Sequence, residues 1–212
     1  MQIPSGDDAF LVDIPTRFFR VVMIMTEHTS AKFAPYPAPE VEAIALRQPV
    51  ASDGPALHDL VAACAPLDAN SRYCNLLHCT HFATTSVAAT RAGELVGFIS
   101  GYLLPTEPRT LFVWQVAVAP SARRQRLAQR MLRDLLQRPA CRHVEFLHTT
   151  VTPDNRPSRA LFSSLARALS APLQESIWLE SERHFSGAHD DEVLLEIGPF
   201  LPAPMNLHMN PP

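Results

Sequence analysis

Three arginines, Arg123, Arg124 and Arg126, fall within four residues directly after the apolar run Leu111-Phe112-Val113-Trp114-Gln115-Val116-Ala117-Val118-Ala119-Pro120. The run has the β-branched and aromatic content of a buried strand. Leu127, Met131, Leu132 and Leu135 beyond it keep the spacing of a helix with one apolar face. A strand that turns straight into a helix aims the free backbone N–H groups and the positive dipole end of that helix at whatever lies past the strand, and arginines there add full charges. The chemistry of such a junction is the binding of a phosphorylated small molecule. Its candidate residues are Val116, Ala117 and Val118 on the strand and Arg123, Arg124, Gln125, Arg126, Leu127 and Ala128 in the loop and first turn. The alternative is a helix that merely turns a solvated arginine face outward.

Composition sets limits on the rest. A chain of 212 residues, 47% of them hydrophobic, can bury one sizeable core. A net charge of −3 and a pI near 6.3 exclude the broad basic footprint of a nucleic-acid binder, so the arginine cluster reads as a local small-anion site. Cys64, Cys74, Cys79 and Cys141 show no paired metal-ligand spacing, and no disulfide is assigned. His78 and His81 lack a third ligand at a suitable spacing, so no metal is expected. Val21-Val22-Met23-Ile24-Met25 is too short to span a bilayer, and Asp7, Asp8 and Asp13 lie where a signal peptide would carry basic residues. The expectation is a cytoplasmic protein with reduced thiols, no membrane partner and no nucleic-acid partner. Met25 is an alternative start to Met1.

The elements that must position the junction read in order. Residues 1–41, rich in proline towards their end, are expected to form a disordered arm, residues 42–200 a single domain, and residues 201–212 a loose tail. Ile44–Arg47 reads as a strand, and Ser52-Asp53 offers an N-cap to a helix carrying Leu57, Leu60, Val61 and Cys64. Pro66 closes that helix, and Tyr73–Cys79 is a second one. Ser86–Thr90 and Leu95–Leu104 make a hairpin about Arg91-Ala92-Gly93-Glu94, and Thr110–Val118 is the central strand. A helix over Arg126–Arg138, a strand over Val144–Val151, a helix over Asn155–Leu169 and strands at Leu173–Trp178 and Glu192–Ile197 complete the order.

The segment Val116 to Ala128 resembles the acetyl-CoA loop of the Gcn5-related N-acetyltransferases, in which an apolar strand and Ala/Asp-Pro precede Arg-x-x-Gly-x-Gly/Ala. The resemblance implies an α/β (α+β) fold: a mixed sheet of about seven strands, splayed between strands four and five and flanked by about four helices. Acetyl-CoA is then the co-substrate. One position departs from the pattern, because Arg126 stands where the family usually has glycine. The first turn of a helix uses negative φ, which arginine adopts freely, so binding is expected to survive. The run Thr149–Asn155, followed by Ser158 to Phe162, resembles the family's second cofactor element. There Asn155 would serve the pantetheine arm or simply cap the helix, and Ser158 and Arg159 would meet phosphate or solvent. Phe162 occupies the position where many relatives carry the tyrosine that protonates the departing thiolate. A thiol of pKa about 8.5 leaves readily beside an amine of about 10.4, and Tyr102, Tyr73 or water is left as the acid.

Further strings, Pro66 to Tyr73, Cys79 to Phe82, Gly97 to Tyr102 and Gly187 to His189 among them, resemble the diaminobutyrate acetyltransferases of ectoine biosynthesis over about residues 42–200. That likeness implies a cytoplasmic homodimer acetylating the γ-amine of a small diamino acid. Lysine, ornithine or a polyamine is the alternative acceptor, and a non-catalytic acetyl-CoA-binding module the alternative function. An acceptor with two ammonium groups and one carboxylate calls for acidic partners and an apolar wall. Asp68 is the first candidate ammonium ligand, with helix capping as its other role. Trp114 is the candidate wall, through cation–π attraction, or else a core residue. Tyr73 and Thr150 are weaker binding candidates. His189 is the candidate general base, oriented by Asp190 or Asp191, or else part of a polar hairpin tip.

Overall fold

The computed structural model describes residues 42–202 apart from Pro66, Asp68 and Ala69. The expected N-terminal arm and all but Leu201 and Pro202 of the expected tail lie outside the described residues. Seven strands form one sheet in the order β1-β2-β3-β4-β5-β7-β6. They are β1 (Ala45–Arg47), β2 (Val87–Arg91), β3 (Glu94–Leu104), β4 (Glu107–Val118), β5 (Phe146–Val151), β6 (Leu173–Leu179) and β7 (Glu192–Ile197). All neighbours are antiparallel except β4 and β5. Helices α1 (Gly54–Ala62), α2 (Arg72–Cys79), α3 (Leu127–Leu136), α4 (Arg156–Ala168) and the short α5 (Ser181–Phe185) complete the domain.

The central strands are apolar on successive residues because both sheet faces are covered. Val87, Ala89, Ile99, Leu111 and Val113 pack with Leu127, Met131 and Leu132 of α3 and Phe162 and Leu165 of α4. Ala88, Phe98 and Ala117 face the other way, against Leu57, Leu60 and Val61 of α1 and Cys79 of α2. The hairpin of β2 and β3 turns on Ala92 and Gly93, with φ of 52° and 80°, the two left-handed residues a two-residue turn requires. β4 begins at Glu107, earlier than Thr110. Pro108 is tolerated there because β5 pairs with β4 only from Thr110 onward, leaving that side of the strand open. The Asp53 carboxylate does not cap α1. It accepts from Val50 N at 2.8 Å and from both terminal nitrogens of Arg47 at 2.7 Å, tying β1 to the start of the helical layer.

At the strand–helix junction the expectation about Arg126 is overturned. Arg126 is the N-cap of α3 with φ 55° and ψ 25°, and Arg124 has φ 62°; both are left-handed rather than first-turn helical. After the helical turn Pro120–Ala122 the chain must reverse sharply so that Leu127 enters the core, and it does so with these two residues. An L-residue there is disfavoured by roughly 1–2 kcal/mol, a cost glycine escapes. The family's usual glycine at this position thus has a backbone reason. Arg126→Gly should raise the melting temperature of the unliganded protein by about 1–3 °C, relief of left-handed strain exceeding the added freedom of the unfolded chain. Arg126→Ala, which keeps a Cβ, should not; thermal melts of both variants check this.

Candidate active site

β4 and β5 share their parallel ladder only from Thr110 opposite Phe146 to Val113 opposite Thr149. Thr149 Oγ1 donates to Val113 O at 2.9 Å, and beyond that rung β4 runs on to Val118 paired with β3 alone. Val116, Ala117 and Val118 therefore line a wedge with one backbone edge unpartnered by strand. The divergence coincides with a bulge. Ser100 pairs with Gln115 but Gly101 with Val113, so Trp114 is the extra residue of β4 and its side chain is re-aimed. Gly101 permits this close approach, since a Cβ there would stand 2.8 Å from Phe112 O.

Beyond the wedge, the start of α3 frames a recess of about 330 Å³ lined by Val118, Arg123, Arg124, Arg126, Leu127, Ala128 and Leu161 of α4. Arg123 Nε donates to Val118 O at 3.2 Å, so its guanidinium lies over the strand end. Gln125 closes the loop, accepting from Arg91 at 2.9 Å and donating to Ser121 O at 3.2 Å. Arg124 and Arg126 are exposed; the Arg126 carbonyl accepts from Arg130 N at 3.0 Å, in the first turn of α3. Asn155 caps α4 by accepting from Ser158 N at 3.1 Å while also facing the wedge from the β5 side. Arg159 pairs with Glu175 of β6, which ties α4 to the sheet edge. Phe162 is buried in the core.

The wedge widens into a cavity of about 770 Å³, whose wall includes Tyr102, Trp114, Thr150, Asn155 and His189. Five residues chosen from sequence thus meet in one space. Sequence reasoning missed Phe112, Trp178, Phe185 and Glu192, which share it. Phe185 belongs to α5, five residues with no apolar periodicity to reveal a helix. Among the described residues, the cavity's charged wall groups are the acidic Asp190 and Glu192 and the titratable His189, with no arginine or lysine. Tyr102 packs on Phe112 at 5.3 Å and Trp114 at 6.3 Å, and burial pushes its phenol pKa above the ordinary range, so it is protonated at neutral pH.

Of Asp190 and Asp191, it is Asp190 that meets His189, through its backbone carbonyl rather than its carboxylate. His189 Nδ1 lies 2.7 Å from the carbonyl oxygen of Asp190, which can only accept, so Nδ1 carries hydrogen and any lone pair of the ring is on Nε2. Glu192 Oε1 stands 3.6 Å from Nε2, and Phe185 packs on the ring with centroids 4.8 Å apart and planes tilted by 38°. Asp191 instead accepts from Ser181 N at 2.6 Å, anchoring α5. Asp68 lies outside the described residues. Its chain neighbour Leu67 lines the cavity, and Asn70 Nδ2 donates to Gln115, another wall residue, at 3.2 Å. The N-cap of α2 is filled by Ser71, whose Oγ accepts from Cys74 N at 3.1 Å. Tyr73 is 70% exposed on α2 and is not part of the cavity wall. The four cysteines are free, and no group of three or more His, Cys, Asp or Glu among the described residues is placed to hold a metal.

A splayed β4/β5 pair, a helix N-terminus at the strand end and a cavity at the split define an acyl-CoA-dependent transferase. The chain belongs to the acetyltransferase (GNAT) family, whose pattern matches residues 54–166. It is 48% identical over 157 residues to the L-2,4-diaminobutyric acid acetyltransferase of Methylotuvimicrobium alcaliphilum, covering 74% of this chain and 91% of that protein. With the Bordetella parapertussis enzyme of the same name it shares 49% over 160 residues, 75% of this chain and 86% of that one. A solved structure, diaminobutyrate acetyltransferase EctA from Paenibacillus lautus in complex with L-2,4-diaminobutyric acid and coenzyme A, superposes with a TM-score of 0.73. It is 41% identical and covers 77% of this chain and 99% of that one. The ribosomal-protein-S18-alanine N-acetyltransferase of Escherichia coli, 18% identical, TM-score 0.57, covering 79% of this chain and 100% of that one, shares the fold.

The two functions of Asn155 separate by substitution. Asn155→Ala should lose the cap, about 1 kcal/mol of stability, and raise the KM for acetyl-CoA. Asn155→Asp caps as well as asparagine but loses the amide donor, so its stability should be unchanged while its KM for acetyl-CoA rises. Thermal melts and initial-rate kinetics on both variants check this.

Proposed function

We propose that this protein transfers acetyl from acetyl-CoA to the γ-amine of L-2,4-diaminobutyrate by direct attack in a ternary complex, giving N-γ-acetyl-L-2,4-diaminobutyrate for ectoine synthesis. The observation that carries it is the arrangement about the β4/β5 split: an aromatic cavity with acidic walls lies at the divergence, and a recess framed by arginines and the start of α3 lies at the end of β4. The wedge fits a pantetheine arm, whose amides can pair with the open edge of β4 and the Asn155 amide, and the N-terminus of α3 with its arginines fits the phosphates. Likeness to relatives named for this acceptor, at 40–50% identity, supports the same reading.

Acetyl-CoA supplies an activated thioester carbonyl. The chain supplies selection, orientation and proton handling. Glu192, and Asp68 in the loop between Leu67 and Asn70, hold ammonium groups of the acceptor, while Trp114 presents an aromatic face and Thr150 a hydroxyl. Nε2 of His189, with its lone pair set by the Nδ1 contact, takes the proton that the γ-ammonium must lose before it attacks. Glu192 beside Nε2 stabilises the resulting imidazolium. Tyr102, protonated and on the cavity wall, gives a proton to the thiolate, in place of the tyrosine that Phe162 replaces. The same reading makes residues 42–200 the catalytic domain of a cytoplasmic homodimer, whose mass in solution light scattering measures. Among the described residues no helix is long and apolar enough to cross a membrane.

Incubation with acetyl-CoA and single diamines, followed by mass spectrometry of the acceptor, tests the activity. Acetylated diaminobutyrate should form faster than acetylated ornithine, lysine or putrescine; binding of acetyl-CoA without acetylation of any amine would contradict it. Asp68→Asn should lower kcat/KM for diaminobutyrate about tenfold to a hundredfold, as expected for a charge-assisted contact, with KM for acetyl-CoA unchanged. Full activity of the folded variant would assign Asp68 to the scaffold.

A further inference from the structure

His78 lies on α2, 1% exposed, in a fold that has little reason to bury an imidazole there. Its Nε2 meets only the weak partner Cys74 Sγ, at 3.5 Å, and its buried Nδ1 has no hydrogen-bond partner among the described residues. A leucine would fill the site without leaving a ring nitrogen unsatisfied, so stability does not account for the histidine. Its ring contacts give another account. His78 stands edge-on to Trp114, with centroids 5.0 Å apart and planes at 83°, and is braced behind by Phe82 at 5.8 Å.

Trp114 needs such a brace. It is the bulge residue of β4, without a cross-strand partner in the register, and its indole is 48% exposed in the cavity wall. Its described ring contacts are two, with Tyr102 towards the cavity and His78 behind. We infer that His78 is a positioning residue: through its perpendicular contact it fixes the rotamer of Trp114, and so the aromatic face offered to the ammonium groups of the acceptor. This rests on the reading of Trp114 as acceptor wall. Burial lowers the pKa of His78, which keeps the ring neutral and prevents a second cation from competing for the indole.

The test compares His78→Leu, His78→Phe, Trp114→Ala and the double variant His78→Leu/Trp114→Ala in the full chain. His78→Leu should melt no lower than wild type yet raise the KM for diaminobutyrate about threefold to tenfold, the value of one oriented ring pair. Its KM for acetyl-CoA should stay the same. His78→Phe, which keeps a ring, should recover most of the loss. In the Trp114→Ala background, His78→Leu should change the acceptor KM no further. The inference is overturned if His78→Leu leaves that KM unchanged, if its effect adds fully to Trp114→Ala, if phenylalanine fails to rescue, or if both KM values rise with a lowered melting temperature. If Trp114→Ala alone leaves the acceptor KM unchanged, the wall reading itself fails, and the inference with it.

Discussion

Paired strands hold each other about 4.8 Å apart through their backbone hydrogen bonds, and the site follows from where β4 and β5 cease to do so. Up to Val113 and Thr149 they are ordinary parallel neighbours, and the Thr149 hydroxyl on Val113 O marks the last rung. From there the bulge at Trp114 turns β4 away. An open strand edge in the middle of a sheet would be costly if it stayed dry and unpaired. An extended ligand with amide groups satisfies it, which is why a single divergence produces both a cofactor slot and, at its mouth, a cavity for the second substrate.

Charge is sorted along that slot. Arginines and a helix N-terminus stand at one end, suited to phosphates, and Glu192 and Asp190 at the other, suited to an amine. The separation explains how a chain with net charge −3 attracts a polyanionic cofactor and a dicationic head group without mixing them. Beside the acidic groups the wall is aromatic, through Tyr102, Phe112, Trp114 and Trp178, which suits an ammonium group and not a phosphate.

Much of this was legible in the residues, and the exceptions have physical causes. The strand–helix junction, the hairpin at Ala92-Gly93 and the apolar helix faces are local patterns, and they emerged close to the observed bounds. The backbone of Arg126 was not legible, since residue type alone suggests an ordinary first turn and only the path from Pro120 to a buried Leu127 demands a left-handed step. Glu192 was hidden because it reads as the start of a strand; it meets His189 because the three-residue step before β7 turns instead of extending. For the same reason the acid beside His189 was sought at Asp190 and Asp191, one of which is committed to Ser181 N. His78 gave no sequence signal beyond its spacing to His81, because its partner Trp114 lies on a strand distant in sequence.

The central claim, that acetyl-CoA occupies the split between β4 and β5, is tested most directly by amide hydrogen exchange with and without the cofactor. Binding should slow exchange in the segment from Trp114 through the first turn of α3 and in the segment around Thr152 to Ser158, while the β1–β2 edge stays as it was. Protection confined to other elements, or unchanged exchange along β4 at saturating acetyl-CoA, would contradict it.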